Sequence, residues 1–123
     1  MAGYRKHYLP EAALDQVAER FKALSEPMRL RLVYALMDGE KTVSQLVRET
    51  GALQANVSKH LGILLDAGVL GRRKEGTSAY YRITDESVFE LCDLVCSSIE
   101  DRLAAELRNF SRASSAAGRP ARS

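Results

Sequence analysis

Three groups of side chains have the types and spacing to do chemistry. Gln54, Ala55, Asn56, Ser58 and Lys59 gather at the start of one stretch, Arg72, Arg73 and Lys74 form a cationic run, and Cys92 and Cys96 stand four positions apart. Gln54 and Asn56 each offer a paired donor and acceptor, the pattern that an adenine edge accepts, and Ser58 is adaptable. Lys59 can meet guanine or phosphate, and Ala55 can touch a thymine methyl. The cationic run suits phosphate contacts, which supply affinity without sequence choice. Together these groups match the reading of duplex DNA. No motif pairs a nucleophile with a base, and the chain's two histidines are His7 and His60, so an enzyme is not expected.

The cysteines support two readings. A free cysteine is a normal small core residue, which makes Cys92 and Cys96 packing groups. Alternatively, their spacing places the two Cβ atoms about 5 to 6 Å apart on one helix face. A disulfide wants them nearer about 4 Å. A thiophilic ion with bonds near ~2.3 Å, or a short sulfur bridge, fits the gap with less strain. Arsenite or antimonite, As(III) or Sb(III), is then the first ligand class to be sensed there, and a persulfide or oxidant the second. No other cofactor is implied.

Elements must hold these groups in place. Gly51 to Gly68, GALQANVSKHLGILLDAG, reads as a turn and then a helix. At about 100° per residue Val57, Leu61 and Leu64 share one side, with Ala55, Lys59, Gly62 and Asp66 opposite. His60 falls at the core edge and reads as a packing residue with one satisfied nitrogen. A helix from Pro10 to Leu24 carries the stripe Leu14, Val17, Phe21 and Leu24. The next, from Glu26 to Asp38, is expected to be capped by Ser25 with Pro27 in its first turn. Thr42 with Gln45 forms a capping-box pattern for a short helix over Val43 to Thr50. Gly39, Gly51 and Gly68 each stand where a left-handed residue would close a helix. The close succession of the third and fourth helices is a helix-turn-helix arrangement.

After Gly68 the run VLGRRKEGTSAYYRIT predicts a two-stranded hairpin turning at Glu75-Gly76, with Ala79, Tyr81 and Ile83 on one face and Ser78, Tyr80 and Arg82 on the other. A hairpin alone is marginal, so it must lean on the helices. Thr84 can cap a last helix whose stripe is Val88, Cys92, Val95, Cys96, Ile99, Leu103, Leu107 and Phe110. The stripe runs for about six turns, longer than the rest of so small a domain can cover. It predicts a homodimer through the first and last helices, with Leu91 and Leu94 packing on the protomer itself.

The fold class expected is therefore mainly α with a small β-hairpin. Residues 1–9 form an N-terminal arm, 10–110 one domain and 111–123 a disordered basic tail. The 123 residues are 46% hydrophobic and 28% charged, enough for one core, and a net charge of +2 is only mildly basic. An anionic partner must be recognised by where charge sits. The longest apolar run, Leu32 to Met37, cannot span a membrane, and the N-terminus carries no apolar signal region, so a cytoplasmic protein is expected.

The order of elements, with ALSEPMRLRLVYAL (Ala23 to Leu36), QANVSKHLGILLDAGVL (Gln54 to Leu70) and RRKEGTSAYYRI (Arg72 to Ile83), resembles the ArsR/SmtB family of dimeric winged-helix transcriptional repressors. The resemblance covers residues 10 to 107. It implies that the Gln54 helix enters the major groove of a double-stranded DNA operator, that the hairpin wing touches the adjacent backbone or minor groove, and that the first and last helices form the dimer interface. An inverted repeat with half-sites about one helical turn apart is the expected target. Leu53 stands where the family often has Ser, which removes a capping hydroxyl. The family's Cys-rich motif is replaced by VSQLVRE (Val43 to Glu49), and the last helix has no histidine, so both familiar metal constellations are missing.

Overall fold

The computed structural model describes residues 10–116, with side chains through residue 113. The elements are α1 (Glu11–Leu24), α2 (Pro27–Ala35), β1 (Lys41–Thr42), α3 (Val43–Thr50), α4 (Gln54–Asp66), β2 (Leu70–Glu75), β3 (Ser78–Ile83) and α5 (Glu86–Ala116). The chain divides after Phe89, so the first unit holds every element except the greater part of α5, which is the second. The expected arm, residues 1–9, and residues 117–123 of the expected tail lie outside the described residues.

Apolar periodicity builds the first unit. Leu32 and Val33 of α2, Leu46 of α3, Val57, Leu61 and Leu64 of α4, and Val69 are fully buried. Each such side chain contributes about 1.5 to 3 kcal/mol by leaving water. With α2, α3 and α4 packed on one another, α4 is fixed along its inner face while its outer face stays free.

The cap of α2 differs from the expected Ser25. Pro27 occupies the first turn without an N–H, so the first amides that need a partner belong to Met28 and Arg29. Glu26 Oε1 accepts from both, at 2.7 and 3.1 Å. Ser25 instead closes α1, its Oγ donating to the Lys22 carbonyl at 2.8 Å. Desolvation works to raise the Glu26 carboxyl, but the Arg29 and Met28 N–H groups and the nearby Arg29 charge hold it below its ordinary value. Helix α2 itself ends at Ala35 and gives way to a turn, shorter than the expected span to Asp38.

The capping box forms at α3: Gln45 N donates to Thr42 Oγ1 at 3.2 Å and Thr42 N donates to Gln45 Oε1 at 2.8 Å. Gly51 ends that helix at φ 73°, a left-handed conformation that a Cβ would strain.

The expected hairpin forms from β2 and β3, and a third strand that was not expected joins it. β1 pairs antiparallel with β3, Lys41 opposite Tyr81 and Thr42 opposite Tyr80, giving a three-stranded sheet in the order β1-β3-β2. Two polar residues leading into a helix cap show no alternation, so this strand has no sequence signal of its own. The predicted division of β3 holds, with Tyr81 buried and Ser78 and Arg82 exposed.

In α5, Val88 and Cys92 are buried, whereas Val95, Ile99, Leu103, Leu107 and Phe110 are exposed along the rest of the stripe. Leu94 is 70% exposed, contrary to the expectation that it packs on its own protomer. Beyond Cys92 the unit is a lone helix, which has nothing of its own to cover that side chain. The helix also continues through Ala116, past the expected end at residue 110.

Candidate nucleic-acid interface

Gln54, Ala55, Asn56, Ser58 and Lys59 are all exposed along the N-terminal half of α4. Among the described residues none of the four polar ones makes a side-chain hydrogen bond or ion pair, so their donors and acceptors remain free for an outside partner. The helix beneath them is held by Val57, Leu61 and Leu64 and by the buried His60. Arg29 Nη1 lies 3.1 Å from His60 Nδ1, and Arg29 Nε donates to the Ala23 carbonyl at 2.6 Å. Since an arginine can only donate, Nδ1 accepts. His60 is the packing residue its position predicts, tied to α2 and the end of α1.

Leu53 stands at the N-cap of α4 without a side-chain cap bond and is 80% exposed. The leading N–H groups of the helix are thus left to solvent or to an anion.

The wing separates its three cations by strand parity. Leu70 pairs with Ile83, Arg72 with Tyr81 and Lys74 with Ala79, so Arg72 and Lys74 rise from the face that carries the buried Leu70 and Tyr81. β2 also lies against α4. Arg73, opposite Tyr80, rises from the other face. Its Nε donates to Glu40 Oε1 at 3.0 Å and Oε2 at 3.2 Å, its Nη1 donates to Glu75 at 2.8 Å, and its Cζ lies 4.6 Å from the Tyr80 ring centroid. Those bonds, Glu40's first and Glu75's second, raise the guanidinium pKa further, and the Arg73 bond lowers the Glu40 carboxyl. Glu40 and Tyr80 are partners that sequence reasoning missed. Glu40 lies 33 positions from Arg73, and nothing in its local pattern marks the pairing.

Beside this cluster Lys41 Nζ bridges Asp38 at 3.2 Å and Glu49 at 2.8 Å, fixing β1 between the end of α2 and α3.

Cys92 is buried and Cys96 exposed, both as free thiols. Burial, then the neighbouring Cys96, pushes the Cys92 thiol above its usual value. Among the described residues no three His, Cys, Asp or Glu side chains gather into a metal site, and no helix is long and apolar enough to cross a membrane.

Comparison with known proteins meets this geometry. Residues 26–70 match the family model described as bacterial regulatory protein, arsR family. The chain is 35% identical over 91 residues to the probable mercury resistance operon repressor of Streptomyces lividans, covering 74% of this chain and 73% of that one. It is 35% identical over 81 residues to the biofilm growth-associated repressor of Xylella fastidiosa, covering 66% and 71%. The solution structure of a homodimeric winged helix-turn-helix DNA-binding domain from Mycobacterium bovis superposes with a TM-score of 0.70 at 37% identity, covering 84% of this chain and 94% of that one. The crystal structure of the repressor BigR from Xylella fastidiosa gives a TM-score of 0.65 at 32% identity, covering 71% and 89%. With its helix-turn-helix, its wing and these relatives, the chain belongs to the ArsR family of winged-helix transcriptional regulators.

Proposed function

We propose that this protein is a homodimeric repressor, not an enzyme, that sits on an inverted-repeat operator in the cytoplasm and is released by an inducer. The observation that carries the reading is the unbonded edge of Gln54, Ala55, Asn56, Ser58 and Lys59 on a helix rooted by Val57, Leu61 and Leu64. Such an edge can donate to and accept from bases without first breaking internal bonds. Cations of the wing, Arg72 and Lys74, add phosphate affinity. The relatives named as repressors and the homodimeric Mycobacterium bovis domain support the same role here.

Exposed apolar rows on α1 (Leu14, Val17, Phe21) and on α5 (Val95, Ile99, Leu103, Leu107, Phe110) are the surfaces a second copy would cover. An inducer acts by favouring a form of the dimer that fits DNA less well, with couplings of about 1 to 3 kcal/mol. As inducer we propose a thiophilic ion such as As(III) or Sb(III), held by Cys92 and Cys96 together with the thiols of the second copy. The mercury-resistance name of the Streptomyces lividans relative is in keeping with a soft ion.

Gel shifts on operator fragments against As(III), Sb(III), Hg(II), polysulfide and peroxide test both levels. Release by one thiophilic agent, lost in a Cys92→Ser, Cys96→Ser protein, supports the sensing role. Release that persists in that double variant assigns the cysteines to packing. Absence of salt-dependent binding to any duplex leaves the α4 face as a protein-docking surface instead.

A further inference from the structure

We propose that Arg73 positions the wing and does not contact phosphate, the phosphate contacts being made by Arg72 and Lys74; this rests on the DNA-reading role proposed above. Every nitrogen of the Arg73 guanidinium is engaged by Glu40 or Glu75, and one face of it lies over Tyr80. A phosphate would have to displace two carboxylates to reach it. Arg72 and Lys74 make no ion pair among the described residues and emerge from the sheet face that carries the buried Leu70 and Tyr81, opposite to that of Arg73.

The course of the link explains what Arg73 does instead. The strand order is β1-β3-β2, so a bond from Arg73 of β2 to Glu40, just before β1, crosses the full width of the sheet over Tyr80 of β3. It joins the two edges and so sets how far the sheet twists. The near edge is itself anchored, since Lys41 is held by Asp38 and Glu49 and Thr42 caps α3. Arg73 therefore refers the angle of the wing to the helix pair that carries the reading edge.

Fluorescence anisotropy on an operator duplex over a range of salt, with thermal melts of each protein, tests this. The variants are Arg72→Gln, Lys74→Gln, Arg73→Gln, Glu40→Gln and the exchange Glu40→Arg with Arg73→Glu. Arg72→Gln and Lys74→Gln should each flatten the slope of log affinity against log salt by about 1.8, the value of two phosphate contacts, one from each subunit of the dimer. Arg73→Gln and Glu40→Gln should each weaken binding by up to about 25-fold at unchanged slope, the equivalent of two exposed ion pairs, one in each subunit. Combining them should add nothing, and the exchange should restore affinity towards that of the native protein. A flattened slope in Arg73→Gln, or tighter binding in Glu40→Gln through a freed arginine, overturns the proposal. A native protein that binds no duplex overturns the DNA-reading role itself, which separates the two failures.

Discussion

Arg20, in the last turns of α1, donates to the carboxylate of Asp85, 65 positions further on, at the residue that leads into α5. Asp85 also accepts from Ser87 N at 3.0 Å and Ser87 Oγ at 2.6 Å, so one carboxylate caps the start of α5 and receives α1. Arg20 lies close to the α4–β2 turn as well, for a methyl added at Gly68 would stand 3.0 Å from its Nη2.

The first prediction concerns acid stability. The Ser87 bond, against the opposing effect of desolvation and with help from Arg20, lowers the Asp85 pKa. A lowered folded-state pKa means that the stabilisation is fully present above the unfolded value of about 3.9 and is lost as pH falls through the folded one. Asp85→Asn should cost about 1 kcal/mol near neutral pH, as loss of a cap does, and should flatten the fall in Tm below about pH 4. Calorimetry at pH 3 to 7 on both proteins decides it, and parallel curves would count against it.

Leu53 leaves the reading helix uncapped. Leu53→Ser should raise stability by about 1 kcal/mol, read as a higher denaturation midpoint in urea with an unchanged slope. Thr42→Ala should move the midpoint the opposite way by a similar amount, because it removes the capping box of α3.

Inner and outer faces of α4 should separate cleanly. Leu61→Ala should cost about 2 to 5 kcal/mol of stability, since it empties a fully buried position. Asn56→Ala should leave Tm within about 1 °C but reduce discrimination against the wrong base by about 1 to 3 kcal/mol. A melt and a competition titration on each variant check the pair. Loss of stability in Asn56→Ala would place that residue in the fold instead.

Gly71 has no room for a side chain. A Cβ there would lie 2.6 Å from Thr84 Cγ2, a contact that the Thr84 side chain or the strand end must shift to relieve. Gly71→Ala should destabilise by about 1 to 3 kcal/mol, and adding Thr84→Ser, which removes the offending methyl, should recover most of it. No recovery in the melt of the double variant would locate the strain elsewhere.

Thiophile binding should depend on pH. Because burial raises the Cys92 thiol, an ion bound by both sulfurs must displace protons at neutral pH. Apparent affinity for a divalent aqua cation such as Cd(II) should therefore climb between about pH 6.5 and 8.5, with protons released in proportion. A flat profile in isothermal titration calorimetry across buffers would argue against Cys92 as a ligand.

How far these relationships could be read in advance depends on their range. Val57, Leu61 and Leu64 were legible because burial follows helical period, and Thr42 with Gln45 because a capping box is local. The two faces of β3 followed from alternation. Ser25 does not cap α2, because Pro27 removes one amide and moves the demand to the next two, which Glu26 reaches. The strand at Lys41 and Thr42 and the Glu40–Arg73 bond depend on segments far apart in the chain, and no local pattern encodes them. Leu94 was misplaced for a related reason: helical phase says which residues share a side, not whether anything lies there.

Thr42 ends β1 and caps α3 at once. A residue with both duties gears the sheet to the helix pair, for a swing of β1 would pull on the N-terminus of α3. Each reading head is then a stiff tool with one working angle. In a dimer of such heads, control falls to the span and tilt between two unchanging halves, as with callipers, and a mismatched half-site spacing should defeat binding as surely as a mismatched base.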